Sequence, residues 1–272
     1  MVSPPDLVSD SLGTASDSEI ESARLVRASI LAAAWSGSGN VRALTTLRAP
    51  AGASQIPFDR FNLGEHCGDD AGAVRANREA LQRGLDLPES PRWLRQIHGI
   101  GVARMQGRRP HTAIEADAAV TSERGVVLAV LTADCLPVVL AAHDGSEIAV
   151  AHAGWRGLAH GVVEATVRAM RTPPDQIRAW MGPAAGPARY EIGVEVYRAF
   201  VDADPEAATA FVISRERHWH IDLFALARRR LRAAGVHTVE GSGICTLSDV
   251  QRFFSHRRDG TTGRMATLVW LS

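Results

Sequence analysis

The chain has no excess of charge of either sign. Its 30 Lys and Arg residues balance 30 Asp and Glu residues, which gives a formal net charge of zero at neutral pH. A protein that binds nucleic acid through many phosphates needs a basic surface, and this composition does not supply one. The sequence therefore predicts no nucleic-acid partner, and an anionic ligand must be bound by local charge.

Cysteine is also scarce. The three residues Cys67, Cys135 and Cys245 are an odd number, which argues against a disulfide framework and for a reducing compartment. The first 19 residues contain no Lys or Arg, so the basic start of a secretory signal is missing. We therefore expect a cytoplasmic protein whose thiols are either unmodified or bound to metal.

Long apolar runs are absent as well. The most hydrophobic stretch, residues 127–142, is interrupted by Asp134 and Pro137 and is rich in β-branched residues, which is typical of buried strands rather than of a membrane span. With 46% hydrophobic and 22% charged residues, the composition is that of an ordinary globular protein. We predict no membrane partner.

The chain divides near residue 40. Residues 1–18 are rich in Ser, Asp and Pro and are expected to form a mobile tail, whereas the apolar spacing over residues 20–34 predicts a docking helix. We therefore assign residues 1–40 to a partly disordered N-terminal extension without an assigned function. Residues 41–272 are assigned to one catalytic domain.

The catalytic domain shows alternating helix and strand signals. Asp69 or Asp70 is expected to cap a helix that ends near residues 84–88, and further helices are expected over residues 158–170 and after Asp222. Short β-branched runs predict strands at residues 93–97, 118–121, 126–132, 138–142, 147–151 and 265–271. These strands lie too close together for helices between them, so we predict an α+β fold with mixed or antiparallel sheets covered by helices.

Three side chains that can bind metal stand at predicted strand ends, namely His98, Cys135 and His152. One thiolate and two imidazoles suit zinc, and copper is the other candidate. Three protein ligands leave the fourth tetrahedral position for water or substrate, as catalytic sites require. The long gaps between the three residues match no compact zinc-binding signature, so spacing alone leaves open that each residue simply packs or forms hydrogen bonds.

A candidate phosphate site follows His152 directly. Gly154 and Gly157 flank Arg156 at a predicted strand-to-helix turn, where backbone N–H groups and a guanidinium can receive an anion. The alternative is that the glycines only permit a tight turn and Arg156 is a surface charge. Asp134, beside Cys135, either orients a ligand or a water, or ends the strand and caps a turn.

A further candidate binding segment lies near the C-terminus. Phe253 and Phe254 precede His256 and Arg257. Aromatic faces and a cation can hold a flat heterocycle and its anionic partner. The alternative is a hydrophobic strand with exposed basic residues.

Taken together, these motifs resemble the laccase-domain or polyphenol-oxidase-like family, also described as multifunctional purine nucleoside phosphorylases and, in bacteria, as a peptidoglycan editing factor. The resemblance runs from residue 41 to residue 272. It is carried by the segments FNLGEHCGDD, VRANR, LRQIHG, ADAAVT, LAVLTADCLPVVL, AHAGWRGLAHGV, MGPA, FFSHRRDG and TGRMATLVW, in family order.

The resemblance implies a single-domain α-β-β-α sandwich with metal ligands at His98, Cys135 and His152. It also implies zinc-dependent phosphorolysis of purine nucleosides, including inosine, guanosine, adenosine and methylthioadenosine, with adenosine deamination as a companion activity. The expected partners are then a small nucleoside and phosphate. On this basis the catalytic residues are assigned as Asp134, Cys135 and Arg156, and the substrate-binding residues as Asn62, Arg156, His256 and Arg257.

One segment departs from the family pattern. Members usually have Arg followed by Gly-Gly-Val-Ser, whereas this chain reads Ala-Pro-Ala-Gly-Ala-Ser after Arg48.

Two alternative functions stay open. Copper-dependent oxidation of phenols fits poorly, because a multicopper site needs clustered ligands and the one His-x-His pair, His218 and His220, lies outside the motifs. Editing of a peptidoglycan precursor is the other.

Overall fold

The computed structural model describes residues 16–35, 39–107 and 113–272. Its helices are α1 Asp17–Ala28, α2 Ala71–Gly84, α3 Trp155–His160, α4 Val162–Ala169, α5 Val194–Val201, α6 Leu223–Ala233 and α7 His256–Asp259. Its strands are β1 Ile30–Ala32, β2 Val41–Thr46, β3 Leu94–Arg95, β4 Val102–Arg104, β5 Ile114–Glu115, β6 Ala118–Thr121, β7 Val127–Thr132, β8 Leu136–Ala142, β9 Ile148–Ala153, β10 Ile177–Met181, β11 Glu191–Gly193, β12 Phe211–Arg215, β13 His218–Ile221, β14 Thr238–Gly241 and β15 Met265–Leu271.

Two sheets form the centre of the molecule. The first has the strand order β1-β2-β15-β7, and all its pairs are antiparallel. The second has the order β14-β10-β8-β9-β6-β4, with parallel pairs at both edges and antiparallel pairs between them. Smaller sheets join β11-β13-β12 and β3-β5. The predicted mixed sheets are confirmed.

Side-chain alternation along β7 shows why the two sheets stack. Leu128 and Val130 pack with Val150 of β9 between the sheets, while Val127 and Ala129 point the other way and pack with Leu81 of α2. Successive strand residues face opposite sides, so a strand with apolar residues on both faces must be covered on both of them. The four-stranded sheet therefore lies between α1 and α2 on one side and the six-stranded sheet on the other.

The far face of the six-stranded sheet is covered by a second helical layer. Val138 and Leu140 of β8 pack there with Val163 of α4 and Leu226 of α6. With α1 and α2 on the outer side of the other sheet, the layers run helix, sheet, sheet, helix. The predicted α+β single domain with an α-β-β-α sandwich is confirmed.

The N-terminal extension differs from its predicted form. The helix expected over residues 20–34 begins at a capping box formed by Ser16 and Glu19 and ends at Ala28. After it, Ile30–Ala32 pairs with β2 as an edge strand, because the sheet offers hydrogen bonds that outweigh local helix preference. Most of the tail predicted for residues 1–18 lies outside the described residues.

The other helices match their predicted signals with one exception. Asp70 caps α2 and Asp222 caps α6, as expected. The single helix predicted over residues 158–170 is wrong: α3 and α4 are separate, because Gly161 between them adopts φ +98°. A left-handed residue ends the first helix and redirects the chain.

Within the described residues, no helix is both long and apolar enough to cross a membrane.

Candidate metal centre

The sheet topology brings Cys135 and His152 together. Cys135 directly precedes β8, and His152 is the second-last residue of β9. The two strands are antiparallel neighbours in which Pro137 faces His152 and Leu136 faces Ala153, so the start of one meets the end of the other. Two ligands separated by 17 positions in the sequence thus lie at one edge of the sheet.

His98 reaches the same place from a loop after β3. Its backbone has a positive φ of 61°, which is uncommon for a residue with a side chain. The Nε2 atom of His98 lies 3.9 Å from Sγ of Cys135, and the two imidazole ring centres are 4.8 Å apart. All three donor atoms lie within 4.8 Å of one another. The three ligands predicted from chemistry are therefore brought together.

Asp117 supports both imidazoles, a role that was not predicted from the sequence. Its carboxylate is fully buried, and Oδ1 lies 2.8 Å from Nδ1 of His152. The same carboxylate accepts the backbone N–H groups of Ile97, His98 and Gly99 at 2.7–3.1 Å. Asp117 thereby holds the His98 loop and leaves Nε2 of His152 to bind a metal ion. Asp117 lies in the Ala-Asp-Ala-Ala-Val-Thr segment that carries part of the family resemblance, and this segment was the sequence signal that could have identified it.

The charges of the ligand set are coupled. Burial alone would raise the pKa of the Cys135 thiol, but the adjacent positive His152 and hydrogen bonds from both imidazoles lower it to about 6. Burial alone would lower the pKa of His152, but the Cys135 thiolate and the Asp117 carboxylate raise it to about 9. Burial opposes ionisation of Asp117 too, yet hydrogen bonds from His152 and Gly99 hold its pKa below the ordinary range. The chain thus stabilises Cys135 as a thiolate.

Gly154 is required beside the ligands. A Cβ atom at this position would lie 2.8 Å from Sγ of Cys135 and 3.2 Å from Cδ2 of His98. Gly157 is similarly restricted, since its Cβ would lie 3.0 Å from the carbonyl oxygen of Gly99. These glycines allow α3 to approach both the thiolate and the His98 loop.

The donor set fits a single metal ion. A thiolate and two imidazoles are ligands for zinc and also for copper. His152 is buried, Cys135 is half-buried and His98 is exposed, so the site opens to solvent on the His98 side. In the part of the chain that the structure describes, this is the one group of three or more His, Cys, Asp or Glu side chains arranged to hold an ion.

Asp134 points away from these ligands. Its Oδ1 accepts the hydroxyl of Thr246 at 2.6 Å, and Oδ2 accepts the hydroxyl of Ser255 at 3.0 Å and the backbone N–H of Arg257 at 2.7 Å. The residue itself adopts φ +90°. Of the two roles considered for it, this geometry supports the turn: Asp134 ties the C-terminal segment to the loop that carries Cys135.

Arg156 lies in the first turn of α3, four residues after His152. Its side chain is exposed, and its guanidinium carbon lies 4.4 Å from the ring centre of Trp155. No ion pair to Arg156 occurs among the described residues. The cation is therefore available to an anionic ligand.

Asn62 is placed differently from its assignment. It is fully buried, and its Nδ2 donates to the Gly64 carbonyl, to Sγ of Cys67 and to the Asp69 carboxylate. Its Oδ1 accepts backbone N–H groups of Gly64 and Arg264. Because the amide is engaged at both ends within the protein, Asn62 holds two loops together and does not face a substrate.

His256 and Arg257 are exposed at the start of α7. Nδ1 of His256 lies 2.6 Å from the carbonyl oxygen of Gly260. The Arg257 guanidinium covers the ring of Tyr190 at 4.9 Å and donates to the carbonyl oxygen of Glu191 at 3.1 Å. Burial, aided by the charge of Cys135, raises the pKa of Tyr190 to about 12. Tyr190 therefore stays protonated at neutral pH beneath the Arg257 guanidinium. No role for Tyr190 was predicted from the sequence.

The aromatic pair before α7 does not have its expected role, and Arg48 forms contacts between loops. Phe253 and Phe254 are fully buried in a cluster with Met265, so they cannot stack on a heterocycle; the segment continues into α7 rather than forming a strand. Arg48, in the loop that departs from the family pattern, pairs with Asp59 at 2.9 Å and lies 3.8 Å from Asp259. Its guanidinium joins loops instead of facing the metal centre.

Comparison with known proteins shows the family of this chain. Residues 42–272 match the family model described as multi-copper polyphenol oxidoreductase laccase. The chain belongs to this family. It is 56% identical over 252 residues to a Xylella fastidiosa protein named purine nucleoside phosphorylase, covering 89% of this chain and 96% of that protein. Proteins of Pseudomonas aeruginosa and Escherichia coli with the same activity name are 47% and 44% identical, over 87% of this chain and 96% of each relative.

Solved structures agree with the fold. A crystal structure of a Neisseria meningitidis protein superposes with a TM-score of 0.84 at 44% identity, covering 90% of this chain and 99% of that one. The structure of YlmD from Geobacillus stearothermophilus gives a TM-score of 0.80 at 33% identity, covering 86% and 92%. The family resemblance found in the sequence is confirmed.

Proposed function

We propose that this protein is a zinc-dependent purine nucleoside phosphorylase. The observation that carries the proposal is the solvent-facing set of His98, Cys135 and His152 in a chain whose relatives are named for that activity. The proposed substrates are inosine, guanosine, adenosine and methylthioadenosine, with phosphate as the second substrate. The absence of disulfides among its three cysteines suits a reducing compartment such as the cytoplasm.

Phosphorolysis breaks the bond between the anomeric carbon of ribose and the base nitrogen and forms a bond from that carbon to a phosphate oxygen. The electron pair of the broken bond leaves with the base, which takes up a proton. A zinc ion held by the three ligands would supply Lewis-acid chemistry. Asp117 orients the His152 ring and the His98 loop, and so fixes where a substrate meets the site.

Phosphate needs a cation within reach of the nucleoside. Arg156 supports this part of the proposal, because it is exposed and has no acidic partner among the described residues. It lies on α3, four residues after His152 of β9. A guanidinium binds phosphate oxygens through two parallel hydrogen bonds. Arg257, beside Tyr190, is proposed as a second contact to the substrate, with the neighbouring His256.

Adenosine deamination is proposed as a companion activity at the same site. Water adds its oxygen to the base carbon that bears the amino group, the C–N bond to that group breaks, ammonia is released and inosine remains. No phosphate is used. The two reactions therefore share the metal ligands but differ in their need for Arg156.

Release of hypoxanthine from inosine tests the proposal. Purified protein with zinc should convert inosine to hypoxanthine when phosphate is present and should stop when phosphate is left out, as followed by chromatography. Ribose 1-phosphate should form in equal amount. No hypoxanthine in the presence of phosphate would exclude phosphorolysis of inosine.

Copper-dependent oxidation of phenols is the second candidate, because the matching family model is described by that activity. Metal analysis together with oxidation of a phenolic dye separates the two. About one zinc per chain and no dye oxidation favour the phosphorylase. Three or more coppers per chain, with dye oxidation, favour the oxidase. The third candidate function is editing of a peptidoglycan precursor. It is tested on the same preparation by an assay for removal of a wrongly incorporated residue from that precursor.

A further inference from the structure

Two exposed isoleucines flank the exposed metal ligand His98. Ile97 has 52% and Ile100 has 45% of its surface exposed, whereas Ile148, Ile177 and Ile221 in the same fold are fully buried. Single exposed apolar residues are ordinary, but these two lie on either side of an exposed candidate ligand within one loop segment of four residues. The exposed side chains of Ile97 and Ile100 together are called the apolar surface of the His98 loop.

The backbone beneath this surface is held firmly. The N–H of Ile97 donates to Oδ2 of Asp117 at 3.1 Å, and the next two N–H groups donate to the same carboxylate. A Cβ placed on Gly99 would lie 3.5 Å from two side-chain carbons of Ile97, so the Ile97 side chain lies over Gly99. A side chain on a fixed backbone beside a ligand can receive a flat ring without loop rearrangement.

The aromatic residues near the site have little open face. Phe253 and Phe254 are fully buried, Tyr190 is 8% exposed with Arg257 over its ring, and the ring of Trp155 has Arg156 over it. A purine bound at the metal centre still has to place its apolar face against protein. The exposed isoleucines beside His98 offer that contact.

We propose that Ile97 and Ile100 form the contact surface for the purine base of the nucleoside. This inference rests on the proposed function. An apolar side chain contacts the face of the ring and not its substituents, so it does not distinguish a carbonyl from an amino group. The surface is therefore expected to bind inosine and adenosine alike, as the proposed range of substrates requires.

Steady-state kinetics on graded variants test the assignment. Ile97→Ala should raise KM for both inosine and adenosine by the same factor, roughly three- to tenfold, because it removes apolar contact area. The value of kcat should stay within about twofold, since a uniform loss of binding leaves the chemical step unchanged. Ile97→Val should give a smaller rise in KM. Ile20→Ala on α1 is the matched control, because Ile20 is 57% exposed and lies in the opposite helical layer.

The outcomes separate the inference from the proposed function. If wild-type protein releases no hypoxanthine, the proposed function fails. If wild-type protein is active and Ile97→Ala has an unchanged KM with full zinc content, only the role of Ile97 and Ile100 fails. A change in KM for inosine more than tenfold larger than for adenosine also contradicts it. If sedimentation shows that Ile97→Ala turns a dimer into a monomer, the surface belongs to a second copy of the chain, which overturns the assignment to the base.

Discussion

The Asp117 carboxylate lies 2.8 Å from Nδ1 of His152 and is fully buried beneath the metal centre. Through its three backbone acceptor contacts to residues 97–99, the same group fixes the loop of the exposed ligand His98. One buried carboxylate thus determines how two candidate ligands, one from the loop after β3 and one from β9, face each other.

The first prediction concerns Asp117→Asn. The amide would turn an N–H toward groups that already donate hydrogen bonds, so the His98 loop and the His152 ring lose their orientation. Zinc affinity should fall roughly 10- to 100-fold, as measured by competition with a coloured chelator. Asp202→Asn, an exposed aspartate after α5, is the control. Unchanged affinity in Asp117→Asn would show that the ligands hold their positions without it.

The second prediction distinguishes a ligand from a nucleophile at Cys135. Cys135→Ser should lose zinc and activity together, because a serine hydroxyl is a poor zinc ligand at neutral pH. His98→Ala should behave in the same way, since His98 completes the ligand set. Cys67→Ser, another half-buried thiol, should keep both properties. A His98→Ala protein with full activity, or a Cys135→Ser protein that keeps its zinc, would contradict the metal site.

The third prediction uses the low pKa of Cys135. In zinc-free Cys67→Ser/Cys245→Ser protein, Cys135 is the single thiol, and its reaction with iodoacetamide requires the thiolate. Because the thiolate fraction increases with pH, the rate should rise with a midpoint near pH 6. Zinc should protect the thiol. A midpoint near the ordinary thiol value of about 9 would mean that His152 and His98 do not stabilise the thiolate.

The fourth prediction tests the clearance around the ligands. Gly154→Ala should weaken zinc binding, because its Cβ would lie 2.8 Å from Sγ of Cys135, closer than carbon and sulfur can pack. Gly39→Ala is the control, since its Cβ would meet nothing within 4 Å. Zinc content and melting temperature should be measured for both. Equal zinc content in the two variants would show that α3 can shift to accommodate the methyl group.

The fifth prediction separates phosphate binding from nucleoside binding. Arg156→Ala should lower phosphorolysis at limiting phosphate by roughly 10- to 100-fold, because a charge-assisted hydrogen bond contributes about 1.5–3 kcal/mol. Deamination of adenosine, which uses no phosphate, should change little. Arg168→Ala on α4 is an exposed control. Equal loss of both reactions would mean that Arg156 has a structural role.

Local patterns in the sequence determined much of the fold. Asp69 or Asp70 predicted the start of α2, which Asp70 caps, and Asp222 predicted the start of α6. Residues 118–121 and 265–271 predicted β6 and β15 with their observed bounds. These signals work because capping and strand alternation depend on near neighbours. The candidate metal ligands were also predicted from the sequence, since thiolate and imidazole chemistry belongs to the residue itself, and the structure brings them together.

The sequence by itself therefore determined which residues can bind a metal, and the tertiary structure decided which side chains surround them. Asp117 is one aspartate among many until the pairing of β6 with β9 sets it beside His152. Asn62 and Phe254 have polar and aromatic groups suited to a substrate, but packing buries both. Ile97 is a residue type that usually lies in the core, yet it is exposed beside His98. Burial and long-range hydrogen bonds depend on how distant strands pair, and no local pattern carries that information.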